Sequence, residues 1–519
     1  MAFKTAWTLP TPTSSPHEWI CLDSSPGSRS ASRASSHVSD FGSGLRAGPP
    51  PELQSPSIRG LLLQYACIGL VTSTLPLLPS TVFQDDFNQP HLASVYAALC
   101  TLPWLATPFL GLLADCLPLA HRRRRVCMVL GWALCAASCL AMAITPLRAQ
   151  NATSLHVFCL LTTVCASLGC AIAAAASDAL LVAFAQTERI WERGRLQTRA
   201  LVLRATGTFV PQVLVGAMAL KSASVIYALL TVASVGAASA AILVVTEPVF
   251  EPALSTRHYL HLLWATLQQR VVWQLCAFQV LFGVCFYVPS FLESAPWLAL
   301  EARPVVWFNL GNTVVAIAAL LAMGVSGLGL DWRKLIVAST ALFIVGSVAV
   351  HFGALYSALP DEYTYLVVHM LLQAPNVVLL LPANYCLVEV ASAGAEGALA
   401  GLVSTCFVIA RPVAALAYRA LRAAWPADMS KDDGSTLEAT RLILVVFLIQ
   451  ATSLFWLWLL PRQKAHVVQL KLHGGSSAAG GGLLVLCVLL MLALAVTTSV
   501  LPTLPTTSCL WIAGGSGCK

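Results

Sequence analysis

Apolar residues in this chain are gathered into blocks of roughly 18 to 25 residues, the length at which a helix crosses a bilayer core of about 30 Å. They are not dispersed at the period of a half-buried strand or a surface helix. Hydrophobic residues make up 57% of the 519 positions and charged residues only 10%, and a water-soluble fold cannot hide that much apolar surface. The chain therefore reads as an all-α polytopic membrane protein.

Six spans are expected near Leu61–Phe83, His91–Leu112, Val126–Pro146, Leu155–Phe184, Ala200–Leu220 and Ala223–Val245. A central cytosolic loop over 246–270 leads to six more, near Val271–Phe291, Val305–Ser326, Leu335–Leu355, Tyr365–Val388, Ala398–Ala417 and Leu442–Leu460. The organisation is thus a six-helix half over 61–245 and a second over 271–460. Residues 1–60, rich in Ser, Pro and Gly, read as a disordered cytosolic tail, with no sign of a cleaved signal peptide. The segment 461–519 holds a Gly/Ser linker and a further apolar block over 483–501, read either as a thirteenth span or as a re-entrant or interfacial helix.

Basic residues are retained on the cytosolic side. With the N-terminus inside, the inner connections hold fifteen Lys and Arg and the outer ones seven, and the net charge of +7 reflects these topology signals. Nucleic-acid binding is excluded on the same ground. The sequon Asn151-Ala152-Thr153 then falls outside, in a loop short for glycosylation. Most of the seventeen cysteines lie inside apolar blocks, where a thiol behaves as a small hydrophobe, and no zinc spacing appears. Cys509 and Cys518 are placed to close a terminal disulfide loop if that end faces an oxidising compartment.

An internal repeat supports the division into halves. Gly111 is followed four residues on by Asp115 and then by Arg122, Arg123 and Arg124; Gly327 is followed by Asp331 and then by Arg333. A glycine lets helices approach, an aspartate accepts from a neighbouring helix N-terminus, and the bases pair with acids on the cytosolic face. Such elements can hold an inner gate shut, although an aspartate followed by bases also marks an ordinary helix end. Two similar halves about a central axis form the major facilitator architecture.

Charges inside hydrocarbon are costly, so each is a candidate for function. Asp178 lies in the fourth span, Arg204 in the fifth and Arg411, followed by Pro412, in the eleventh. Asp178 and Arg204, on consecutive helices, are expected to meet, either as a permanent structural pair or as one broken by substrate or a proton. Arg411 has no acid in its own span and is the stronger candidate for an anionic substrate, with snorkelling as the alternative. Gln64, Tyr65, Gln279, Tyr287, Asn309, Asn312, His369, Gln373, Asn376 and Asn384 supply further polar positions, several of them ordinary helix-to-helix bonds. Phe282, Phe286 and Tyr287 are candidates for stacking on a flat ring or for packing. No phosphate-binding loop, histidine cluster or pore loop is present, and neither a catalytic residue nor a metal or other cofactor is expected.

The stretch Leu102-Pro103-Trp104, Pro108, Gly111, Asp115, Pro118 and Arg122 to Arg124 resembles the signature of the folate-biopterin transporter family, a branch of the major facilitator superfamily. Further likenesses are Ser177-Asp178-Ala179 with Gln197 and Arg204, Leu381-Pro382-Ala383-Asn384-Tyr385, and Glu396-Gly397. The resemblance implies proton-coupled uptake of a small folate or pterin, with Asp178 engaging the ring or the coupled proton and Arg204 and Arg411 taking carboxylate or ring oxygen. Thr107 stands where the family usually has lysine, Ala120-His121 replace Gly-Tyr and Arg125 replaces a proline; loss of the cation points to an unconjugated pterin or another ligand. The alternatives are a facilitator of another organic anion and a non-transporting sensor that keeps the fold, and the plasma membrane is the default location.

Overall fold

The computed structural model describes residues 45–46, 49–76, 78, 90–116, 123–145, 152–217, 222–247, 256–289, 302–356, 358, 362–424, 433–501, 507 and 510. Arg122, Asn151, Cys509 and Cys518 lie outside the described residues.

Before the central connection stand α1 (Pro56–Thr74), α2 (Pro90–Leu105), α3 (Thr107–Cys116), α4 (Arg123–Ile144), α5 (Ala152–Ala185), α6 (Arg195–Pro211, continued by a π-type turn over Gln212–Ala217) and α7 (Ala223–Leu243). After it stand α9 (Arg270–Phe286), α10 (Ala302–Ser326), α11 (Trp332–Leu355), α12 (Glu362–Leu371), α13 (Gln373–Val378), α14 (Leu381–Val390), α15 (Glu396–Ala424) and α16 (Asp433–Thr452, tightening to a 3-10 turn over Ser453–Leu459). The connection itself contains α8 (Thr256–Gln268), with Tyr259, Thr266 and Leu267 buried along one stripe. Two helices follow, α17 (Lys464–His473) and α18 (Ala478–Val500). Among the described residues nine helices are long and apolar enough to cross a membrane, with Tyr363–Val390 (α12 to α14) taken as one, or ten if the bent pair of α2 and α3 is also one span. The more polar α1 and α6 fall outside that set.

Prolines explain the breaks. Pro108 cannot donate to the Trp104 carbonyl four residues earlier. The Thr107 hydroxyl takes that carbonyl instead at 2.9 Å, and α2 and α3 meet at a bend of 48°. The tenth expected span is likewise cut into α12, α13 and α14, with Pro375 and Pro382 in the interrupted stretches.

In the first half the fully buried Trp132 of α4 donates its indole N–H to Gln64 of α1 at 2.5 Å, and Gln64 donates to the Ala237 carbonyl of α7 at 3.0 Å. Gln64 is therefore a three-helix tie. In the second half Phe278, Phe282 and Phe286 stack along α9 with ring centroids 5.2 and 5.4 Å apart, inside its core. Phe282 and Phe286 thus serve packing. The halves meet where α3 packs on α15 and α6 on α10.

The last helix, α18, is long and apolar enough to cross a bilayer. It packs on α2 of the first half and on α9 and α15 of the second. Backbone bonds from Arg270 to Gly475 at 3.3 Å and from Ser477 to Gln268 at 2.9 Å tie its leading linker to the junction of α8 and α9.

Candidate transport cavity and inner gate

Between the halves lies a cavity of about 580 Å³, a size suited to a drug-sized solute. Helical periodicity builds its walls. α6 presents Gln197, Ala200, Leu201 and Arg204, and α15 presents Ala400, Val403, Ser404, Phe407, Val408 and Arg411. Among the described residues Asp178, Arg204 and Arg411 are the three charged ones of the lining, and Tyr65, Trp104, Gln279 and Asn384 are among the other polar or aromatic ones. The Asp178 carboxylate accepts from the Tyr65 hydroxyl at 2.5 Å. The Arg204 guanidinium lies 5.4 Å from the Trp104 ring centre, and that of Arg411 lies 4.9 Å from Tyr287 and 5.5 Å from Phe407. Among the described residues no ion pair joins Asp178 to Arg204, and none involves Arg411.

The other expected positions divide between the cavity and the packing around it. Asn384 lines the cavity with its amide donating to the Leu380 carbonyl at 2.8 Å. Gln373 is absent from the lining; its carbonyl accepts from Asn376 at 3.3 Å, so the two amides serve each other beside the break before α13. His369 stacks with Tyr365 and Phe308. Thr107 points into the α3–α15 seam, 2.8 Å from the Thr405 hydroxyl, and is not a lining residue. The two lining arginines come from α6 and α15.

At one end of the bundle the halves are joined by a buried charge cluster. Asp115 accepts from the N–H groups of Gly397 and Ala398 at 2.8 and 3.0 Å, capping α15 from the opposite half. The neighbouring Arg124 donates to Asp115 at 2.9 Å and to Glu396 at 2.6 Å. Glu396 also accepts from Arg46, ahead of α1, at 2.5 Å. Gly111 explains the proximity, because a methyl there would run into the Gly397 carbonyl. Arg123 begins α4 and enters none of these ion pairs.

The second copy of the motif is wired differently. Asp331 caps its own helix α11, accepting from the N–H groups of Arg333 and Lys334 at 2.9 and 3.2 Å. Arg333 donates to the carbonyls of Leu460 and Trp458, and the space a methyl on Gly327 would need is taken by Met323 of the same helix. All of these contacts stay within the second half.

A second cross-half contact takes its place. Arg193, in the loop between α5 and α6, grips Glu389 of α14 with one nitrogen 2.8 and 2.7 Å from the two carboxylate oxygens. Gln186 donates to the carbonyls of Val388 and Ala391, and Thr198 meets the Tyr385 hydroxyl at 2.7 Å. The loop turns at Gly194, whose φ of 103° favours glycine. Glu188 accepts from the N–H groups of Gly194 and Leu196 at 3.1 Å each. Burial pushes its carboxyl up to about 7 against the lowering effect of those two bonds. Lys464 and Lys471 of α17 are pushed down, chiefly by burial, and donate to backbone carbonyls of Ile190, Glu389 and Val390.

A family model described as the BT1 family matches residues 75–473. The chain belongs to the BT1 family. The BT1 family includes folate-biopterin transporters and is of major facilitator type. Three solved structures share the fold. The human organic anion transporter MFSD10 aligns with TM-score 0.56 at 14% identity, covering 78% of this chain and 99% of that one. The proton:xylose symporter XylE aligns with TM-score 0.53 at 12% identity, covering 76% and 94%. A bacterial homologue of the iron transporter ferroportin, in an outward-facing state, aligns with TM-score 0.54 at 14% identity, covering 79% and 99%. No curated protein matches the chain. This BT1 protein is thus a multi-pass membrane transporter with major facilitator architecture.

Sequence reasoning missed the ion pairs of Arg46 and Arg193 with Glu396 and Glu389 in this BT1 chain, because nothing local to Arg46 or Glu389 shows that a partner arrives from about 200 to 350 residues away. A signal existed for Glu396: an acid opening a span, next to a glycine, opposite an arginine run.

Proposed function

We propose that this protein is a secondary active importer of folate- or pterin-like anions, coupled to protons, working by alternating access at the plasma membrane. The observation that carries the reading is the pair Arg204 and Arg411, which line one cavity over aromatic faces and, among the described residues, enter no ion pair. A guanidinium held in a bilayer-spanning cavity outside any direct ion pair favours an incoming anion. Trp104 and Phe407 add flat faces on which a conjugated ring can stack. Asp178 is the one carboxylate of the lining, and its place beside Tyr65 suits a proton carrier. Membership of the BT1 family supports the substrate class. The inner cluster would hold the cavity shut toward the cytosol in one half of the cycle, with Gly111, Asp115, Arg124 and Glu396 at its centre.

The test is uptake of labelled folate, biopterin and a 2,4-diamino antifolate into intact cells at two external pH values. Wild type is expected to take up at least one of them faster at acid pH, Asp178→Asn to lose the pH dependence, and Arg411→Ala to lose uptake. Absence of uptake at either pH overturns the reading; uptake insensitive to pH makes the protein a facilitator.

A further inference from the structure

Among the described residues Gln197 is the one amide of the cavity lining whose two polar atoms are both shielded and without a partner. The residue is 4% exposed, and its Oε1 and Nε2 are shielded with no hydrogen bond. Polar groups around it are satisfied: Thr198 bonds the Gly194 carbonyl and the Tyr385 hydroxyl, and Asn384 bonds the Leu380 carbonyl. A buried amide left unbonded is unfavourable, and leucine or methionine fills such a space without that penalty. The amide is thus poised for a partner that does not belong to the protein.

The position says what kind. Gln197 and Arg204 lie seven residues apart on the lining face of α6, so the amide sits about 10 Å along the helix from the guanidinium, toward the closed inner end. Leu181, Val182 and Leu387 line the cavity as apolar neighbours, and Arg204 and Arg411 supply positive charge. We propose that Gln197 is the residue that recognises the ring of the transported solute, pairing through Oε1 and Nε2 with an adjacent donor and acceptor on the edge of a flat heterocycle while Arg204 holds an anionic group on the same molecule. This rests on the cavity being the transport site for a ring-bearing anion. A ring N–H donates to Oε1, and Nε2 donates to the neighbouring ring oxygen or nitrogen. A two-bond pair of this kind is worth roughly tenfold to a hundredfold in discrimination.

The experiment measures inhibition constants against labelled folate uptake for three unlabelled ligands: folate, a 2,4-diamino analogue, and p-aminobenzoylglutamate, which keeps the carboxylates and lacks the pteridine. Gln197→Leu is expected to weaken folate by roughly tenfold or more and to leave p-aminobenzoylglutamate within about twofold. Gln197→Glu presents two acceptors, which meet the adjacent ring N–H and 2-amino donors of folate, and its preference for folate over p-aminobenzoylglutamate is expected to exceed that of Gln197→Leu by roughly tenfold. Because that preference is a ratio within one protein, it remains readable if expression falls. Equal weakening of folate and p-aminobenzoylglutamate in Gln197→Leu, or a folate preference in Gln197→Glu no higher than in Gln197→Leu, overturns the role of Gln197 while wild-type uptake leaves the transport reading standing. No uptake of folate, biopterin or the diamino analogue by wild type overturns both.

Discussion

Replacing Arg124 with glutamine tests whether the buried cluster acts as a gate. Arg124 is 5% exposed, with its Nη2 2.9 Å from Asp115 and 2.6 Å from Glu396 and its Nε 3.2 Å from Asp115. Asp115 and Arg124 belong to the first half and Glu396 to the second. Separating the halves at this end therefore breaks the bond to Glu396 and both N–H bonds from α15 to Asp115, but leaves Arg124 with Asp115. A hydrogen bond to a charged partner contributes about 1.5 to 3 kcal/mol, and stripping one partner from a buried pair costs about 3 to 5 kcal/mol. The closed state alone bears that loss, so Arg124→Gln should shift the closed-to-open ratio by roughly ten- to a thousandfold toward open, at about 1.4 kcal/mol per factor of ten. Arg124→Lys keeps the charge without the fork and should fall between.

The assay is a spin-label distance measurement in a background with its native cysteines replaced, with labels at Arg189 and Lys334. Both positions are exposed. The expected result is a longer-distance population in Arg124→Gln that is minor in the parent. A distance distribution identical to the parent, in protein that is folded and inserted, would refute the gating role and leave the cluster as static packing.

Arg46→Ala removes one of the two guanidiniums on Glu396 and should open the same gate more weakly than Arg124→Gln, read in the same distance measurement. Gly111→Val places a branched side chain against the Gly397 carbonyl, so the α3–α15 seam should part and the thermal midpoint fall, whereas the same change at exposed Gly329, where nothing lies within 4 Å, should leave the seam intact. Glu188 carries a prediction about pH. Its folded carboxyl is raised to about 7 from an ordinary 4.5, so the stability it contributes is full below about pH 4.5 and is lost as pH rises through about 7, a loss of about 3 kcal/mol at most. Glu188→Gln should flatten that part of a thermal-unfolding profile taken in detergent across this window; an unchanged slope counts against it.

Much of the bundle is legible from the spacing of apolar blocks, because bilayer thickness fixes element length more tightly than any soluble fold does. The breaks are less so. Pro108 and Pro382 were visible, yet whether a proline kinks a span or ends it depends on which group takes the freed carbonyl, as Thr107 does for Trp104. Amphipathic α8 hid in a polar stretch because its buried stripe is short. At the site, the intramembrane charges pointed to the cavity since their cost singles them out. Gln373 and Asn384 show the limit: two amides in one expected span, of which only Asn384 reaches the cavity, a difference of helix face across a proline break that periodicity does not carry.

The repeated Gly-to-Asp spacing is a likeness of sequence whose two copies do different physical work. Asp115 caps a helix of the other half, while Asp331 caps its own. What the two seams share is polarity. Arg124 and Arg193 come from the first half and Arg46 from the segment ahead of it, and their partners Glu396 and Glu389 both come from the second. Arg124 and Arg193 sit in stretches that positive-inside topology already makes rich in arginine, so the second half needs only an acid at each facing helix end to form a latch. Both glutamates are fully shielded in the closed arrangement, where salt screens such pairs weakly. Each becomes an uncompensated charge once the halves part unless water reaches it. Separation at this end therefore sets hydration of the two glutamates against their three arginine contacts.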